Sequence, residues 1–160
     1  MNASRPSMAA LLLAAVLVNA PASAAPREME RFDASTWSRL KQSPEPSAVV
    51  FTTTDCVHCP GAIDRLSREI ARRGMKASIV AVVMDPVDSG DDALLHDVHY
   101  RQVDRLFVFA GQAASLRYGV DPRWRGVTPY IVLLGPGTAP LMRAGPPAQE
   151  LLDAWAPPAK

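Results

Sequence analysis

The sequence predicts a single α/β domain in which a mixed central sheet is covered by helices on both faces. Three observations predict it. Short β-branched or apolar runs recur at 48–53, 77–84, 106–109 and 130–134, each of a length that suits a buried strand. Segments with helical spacing of apolar residues separate them, which calls for parallel neighbours joined by crossovers. The last strand precedes Gly135-Pro136-Gly137-Thr138 and a second extended run at 140–144, the pattern of a hairpin.

Taken in order, the first element stands outside that domain. Arg5, an apolar run over 9–18 and the small residues Ala22-Ser23-Ala24 have the sequence of features of a secretory signal peptide, expected over 1–24. The apolar run is too short for a spanning helix, which needs about 20 residues. Without Arg5, basic and acidic residues balance, and a chain without net charge offers nothing to nucleic acid or to an anionic membrane surface.

Residues 25–47 read as a lead-in segment with an apolar cluster at Phe32, Trp37 and Leu40 and a short helix that Ser35 could cap. Ser43-Pro44-Glu45-Pro46 closes it, since two prolines so close forbid a helix. The domain then runs over 48–160. After the first strand, Asp55 stands as a candidate N-cap and Pro60 falls in a helical first turn, where its missing N–H costs little. Ala62, Ile63, Leu66 and Ile70 share one helical face, Arg65, Arg68, Arg72 and Arg73 fill the other, and Gly74 ends the helix. A loop over 85–92 leads to an extra helix over 93–102, inserted after the second strand. A helix over 113–118 ended by Gly119, and a closing helix over 148–155, complete the order.

The chemistry lies at the first strand-to-helix junction. Cys56 and Cys59 are the two cysteines of the chain. A bridge between them closes too short a loop to stabilise the fold, so the pair has a chemical role. A helix N-terminus carries unpartnered N–H groups and a partial positive charge, and both favour a thiolate at the leading cysteine. The second cysteine, three residues on, can resolve a mixed disulfide from the same side. His58 between them is a tuning residue, because a neighbouring imidazole stabilises a thiolate. Thr128-Pro129 enters the hairpin strand where a proline would normally cost a ladder bond, so a cis bond is expected there, placing Thr128 beside another loop. Trp124, Arg123 and Arg125, just before Thr128-Pro129, read either as a flank of the active-site groove or as a loop anchor, the second being the commoner role for an aromatic between two arginines.

Val49-Val50-Phe51, Cys56-Val57-His58-Cys59, Thr128-Pro129 and the Gly-turn hairpin with its final helix resemble the thioredoxin superfamily over roughly residues 48–155. The inserted helix and the export signal are closest to the exported TlpA/ResA-like and Sco-like branches. The resemblance implies that Cys56 is the nucleophile, that Cys59 resolves, and that Thr128 and Pro129 line a groove for an extended peptide. It implies a thiol–disulfide oxidoreductase of the periplasm, or secreted, with reduction preferred over oxidation. Its partners would be exported client proteins with cysteines and a membrane or periplasmic thiol–disulfide protein that recharges the pair. Cytochrome c maturation and copper-centre assembly are the implied contexts, with no cofactor. Two departures stand out: Val57-His58 replaces the Gly-Pro of thioredoxins proper, and Val50 occupies the position of their buried acid.

Two other readings compete. His96 and His99 would share a face of the inserted helix, and with Cys56 and Cys59 they form an alternative copper set like that of a Sco-like metallochaperone. Alternatively, the chain is a redox-inert binding module that merely retains the pair.

Overall fold

The structure, a computed structural model, describes residues 26, 28–86 and 92–156. The signal peptide expected over 1–24 lies outside them, as does most of the loop expected over 85–92. Among the described residues no helix is long and apolar enough to cross a membrane.

Six strands form one mixed sheet in the order β1-β4-β3-β2-β5-β6. At its centre β2 (Ser47–Thr52) and β3 (Ser78–Val83) run parallel, joined by α2 (Cys59–Arg72). The next strand, β4 (Arg105–Phe109), is parallel to β3 and carries β1 (Met29–Phe32) on its outer edge. On the other side β5 (Tyr130–Leu134) is antiparallel to β2 and makes a hairpin with β6 (Leu141–Ala144). This is the expected mixed sheet of a thioredoxin-like fold, enlarged by one strand at the far edge.

The lead-in segment contributes more than its composition suggested. Met29–Phe32 is the edge strand, and Arg105 ties it to β4 through Glu30 at 2.7 and 2.5 Å. The helix that follows, α1 (Ala34–Lys41), is capped by Asp33, which accepts from Thr36 N at 2.8 Å, and not by Ser35. Ser35 instead donates to the same carboxylate. Asp33 wins because an N-cap must be the last non-helical residue, and here Ala34 is already helical.

Period-two alternation along β2 divides the core between two faces. Val49 and Phe51 pack with Phe32, Trp37, Phe107, Trp124 and Tyr130 under α1 and α4 (Ala113–Val120). Ala48 and Val50 pack with Ala62, Ile63, Leu66, Tyr100 and Leu152 under α2 and α5 (Gln149–Trp155). Burying these side chains supplies the main driving force for folding. Gly119 does not end its helix but lies within it, since α4 continues to Val120, whose side chain is buried in the first cluster. Gly74 behaves as expected. It adopts φ +61°, and the turn it makes lets Met75 N bond back to Ile70 O.

Arg73 departs from the solvated face expected for it. Its side chain is buried, pairs with Glu69 and Asp153, and donates to the carbonyls of Leu152 and Ala156, which fastens the end of α2 to α5. Helical spacing placed it on the polar side of α2, but the closing helix packs there.

The inserted helix is the largest correction. Only Ala93–His96 is α-helical (α3); Asp97 takes an extended ψ of 127°, and a 3-10 turn follows over Val98–Tyr100. Asp97 accepts from His99 N at 2.9 Å and caps that turn. A short side chain that caps competes with continuing the helix, so His96 and His99 do not share a helical face.

Candidate active site

Parallel pairing brings the C-terminal ends of β2 and β3 together, with Thr52 opposite Val83. The chain leaves β2 through Thr53, Thr54 and Asp55 into the cysteine loop. Asp85, just beyond β3, holds that loop by accepting from Thr54 N at 2.5 Å and from Thr54 Oγ1 at 2.9 Å. Cys56 N donates to Thr53 O, and Cys59 N donates to Cys56 O, both at 3.2 Å. Two successive turns therefore place Cys56 just outside the helix and Cys59 at its first residue. The N-cap position belongs to His58, which makes no side-chain cap bond, and Asp55 lies too far upstream to serve. Pro60 occupies the first turn as expected.

Cys56 and Cys59 are joined in a disulfide with their Cα atoms 5.5 Å apart. Their surroundings differ. Cys56 is half-buried, whereas Cys59 is 2% exposed beneath the first turn of α2. His58 is exposed, and Val57 is 82% exposed beside it. The first cysteine of the pair is thus partly open to solvent and the second is shielded. The start of α2 carries N–H groups without intrahelical partners and a partial positive charge beside this pair.

Thr128 and Pro129 stand across from this loop. The peptide bond between them is cis, as expected. Register explains the placement: Tyr130 lies opposite Phe51, so the two residues before Tyr130 face the two after Phe51. The hydroxyls of Thr128 and Thr53 lie 3.5 Å apart. Pro129 is buried, and its carbonyl accepts from Gly145 N at 2.8 Å. Val127, the residue before, is exposed, so an apolar side chain flanks the pair on each side of the gap.

Behind Thr128-Pro129 sits a buttress that sequence reading found only in part. Trp124 is buried, stacks on Tyr130 with ring centroids 4.3 Å apart, and donates from Nε1 to Val127 O at 2.9 Å. The loop-anchor reading of Trp124 is thus the correct one. Asp121 was missed. It is 7% exposed and accepts from Tyr130 Oη at 2.6 Å and from Arg123 N at 2.8 Å. The Tyr130 hydroxyl, then the Arg123 N–H, hold its carboxyl below the usual carboxylate range, while burial and the Asp121 carboxylate push the Tyr130 hydroxyl up. The signal available in the sequence was an acidic residue one position past a helix end, which alone means little.

On the opposite side of the disulfide lies a pocket of about 60 Å³, lined by Thr52–Thr54, both cysteines, Pro60, Ile63, Leu94, Asp97, His99 and Tyr100. Tyr100 is buried, and burial raises its hydroxyl pKa. His96 is absent from this lining. Among the described residues no three or more His, Cys, Asp or Glu side chains come together as a metal site, so the four-ligand set of Cys56, Cys59, His96 and His99 is not assembled.

No protein-family model matches the chain, and no curated protein sequence matches it. Solved structures do resemble it at low identity. A secreted Mycobacterium tuberculosis disulfide oxidoreductase homologous to E. coli DsbE is 14% identical, with 71% of this chain and 81% of that one covered at a TM-score of 0.47. StoA from Bacillus subtilis is 13% identical, with 71% and 83% covered at 0.47. The N-terminal domain of PilB from Neisseria gonorrhoeae is 14% identical, with 74% and 80% covered at 0.49. Such likenesses concern the fold alone, and the chain's own topology, disulfide position and cis Thr128-Pro129 bond carry the thioredoxin-like assignment of that fold.

Proposed function

We propose that this chain is an exported thiol–disulfide oxidoreductase that acts on cysteines of other exported proteins. One observation carries the reading: a disulfide at a helix N-terminus whose first sulfur is accessible and whose second is buried. That asymmetry suits a two-step exchange. The Cys56 thiolate attacks a client disulfide, and one client sulfur leaves as thiolate. Cys59 then attacks Cys56 Sγ, closing the Cys56–Cys59 bond, releasing the second client sulfur and losing a proton. The client gains two electrons and the protein pair loses two. Reduction of clients is the preferred direction, and it requires a membrane or periplasmic dithiol partner that reduces Cys56–Cys59 again. Thr128 and Pro129 form the groove wall against which a client segment lies, and His58 assists the Cys56 thiolate. Cytochrome c maturation and copper-centre assembly are the contexts the family resemblance supports, with neither metal nor organic cofactor required for the exchange itself.

The test is an equilibrium titration of the mature chain against glutathione, with Cys56→Ser and Cys59→Ser variants alongside. A reversible two-electron transition that both substitutions abolish is the expected result. A pair that stays oxidised across the accessible glutathione range, with no exchange onto a disulfide substrate, would make the chain an inert binding module.

A further inference from the structure

Resolution of a mixed disulfide requires the Cys59 thiol to lose its proton inside the protein, since the thiolate is the attacking species. Cys59 is buried, and the core under α2 is apolar, with Val50, Ala62 and Ile63 packed together in it. Val50 there is fully removed from solvent and offers no proton acceptor. A proton acceptor must therefore come from another direction, and the 60 Å³ pocket shows which. It touches both cysteines on one wall and the turn after α3 on the other, presenting Asp97, His99 and Tyr100. Its volume is enough for water, which needs about 10–15 Å³ per molecule and several polar partners.

We propose that His99, oriented by Asp97, accepts through this pocket the proton that Cys59 loses when it resolves a mixed disulfide on Cys56. The inference rests on the dithiol-exchange reading above. His99 Nδ1 lies 3.1 Å from Asp97 Oδ1, which also accepts from His99 N at 2.9 Å, so Asp97 holds the ring on its Nδ1 side and leaves Nε2 as the other ring nitrogen. The His99 side chain is 55% exposed, so it faces both the pocket and bulk water and can pass the proton on. Tyr100 cannot replace it. Burial raises its hydroxyl pKa, so it stays protonated and is not the group that takes up the proton.

The step balances as follows. Cys59 Sγ forms a bond to Cys56 Sγ while the bond from Cys56 Sγ to the client sulfur breaks. The electron pair of that bond leaves with the client thiolate, and the Cys59 proton moves through pocket water to His99 Nε2 and then to solvent. Other titratable groups face this region and belong in any pH profile. They are Asp85 beyond β3, which holds Thr54; Asp55 and His58 in the cysteine loop; and Asp64 on α2, engaged by Arg68 and Gln102. Arg101 and Asp64 also line the adjoining surface beside His99.

The test uses the reduced mature chain with the aromatic disulfide reagent DTNB. In wild type the first coloured thiolate reports attack by Cys56 and the second reports resolution by Cys59. At about pH 7, His99→Gln is expected to slow the second release by on the order of 100-fold, the lower end of general-base effects. The deficit should narrow as pH rises past about 8.5, where thiols ionise unaided. Added imidazole should restore part of the rate, and Asp97→Asn should give a smaller loss of the same form. A resolution profile for His99→Gln and Asp97→Asn that superimposes on wild type overturns the proposal, as does one that moves with His58→Gln instead. If wild type itself releases one equivalent, as Cys59→Ser must, the exchange reading fails and this inference falls with it. Two equivalents from wild type with an unchanged His99→Gln profile removes this inference alone.

Discussion

The Tyr130 hydroxyl donates a 2.6 Å hydrogen bond to Asp121 Oδ2 in the buried space behind the cis Thr128-Pro129 bond. The bond joins the first residue of β5 to the loop that follows α4, and Trp124 stacks across it. It couples the wall of the candidate groove to the larger aromatic cluster. Tyr130→Phe keeps the ring stacking and removes this one donor, leaving Asp121 its Arg123 contacts. The expected loss is about 1–2 kcal/mol of stability, read as a lower urea midpoint with unchanged slope. A variant as stable as wild type would show that Arg123 alone satisfies the carboxylate.

The same pair sets an acid limb. The Asp121 carboxyl is held below its ordinary value by the Tyr130 hydroxyl and the Arg123 N–H. A carboxylate with a depressed folded-state pKa contributes stability that is complete above its unfolded value, about 3.9, and is lost as pH falls through the folded value. Asp121→Asn should therefore be less stable than wild type at neutral pH, with the gap closing below about pH 4. Thermal melts across that interval measure it; a gap that stays constant down to strong acid would contradict the assignment.

Accessibility predicts the order of thiol reaction. In the reduced protein, brief alkylation should modify Cys56 well ahead of Cys59, because the first is half-buried and the second is 2% exposed. Cys59→Ser should retain client proteins as mixed disulfides on Cys56, and Cys56→Ser should retain none. Mass spectrometry of the labelled peptide decides, and earlier labelling of Cys59 would reverse the roles.

Arg73 is the fastener between α2 and α5. Replacing it with Ala leaves Glu69, Asp153 and the carbonyls of Leu152 and Ala156 without their shared partner. Loss of a buried guanidinium with several charge-assisted bonds should cost about 2–4 kcal/mol. Arg68→Ala, which removes an exposed pair with Asp64, should cost less than about 0.5 kcal/mol. Chemical denaturation of the two variants side by side separates the buried role from the solvated one.

Local chemistry determined a good deal of this protein by itself. Strand cores, the helix after the cysteines, the hairpin turn and the cis bond at Pro129 were legible, because alternation, helical period, Pro in a first turn and Gly at positive φ act within a few residues. The cysteine pair was legible for the same reason, since its meaning comes from the junction it occupies. Tertiary packing decided what proximity in sequence could not. Met29–Phe32 became a strand because β4 offered an edge to pair with, and the Arg73 side chain is covered because α5 packs over it. Asp97 broke the inserted helix by capping a 3-10 turn, which separated His96 from His99 and left only His99 on the pocket beside the disulfide. The buttress of Asp121, Trp124 and Tyr130 likewise exists only once β5 is registered against β2. Glu30 and Arg105 lie 75 residues apart, and Arg73 and Asp153 lie 80 apart, where period and propensity carry no information; the Asp97 cap is a local contact that competes with helix propagation.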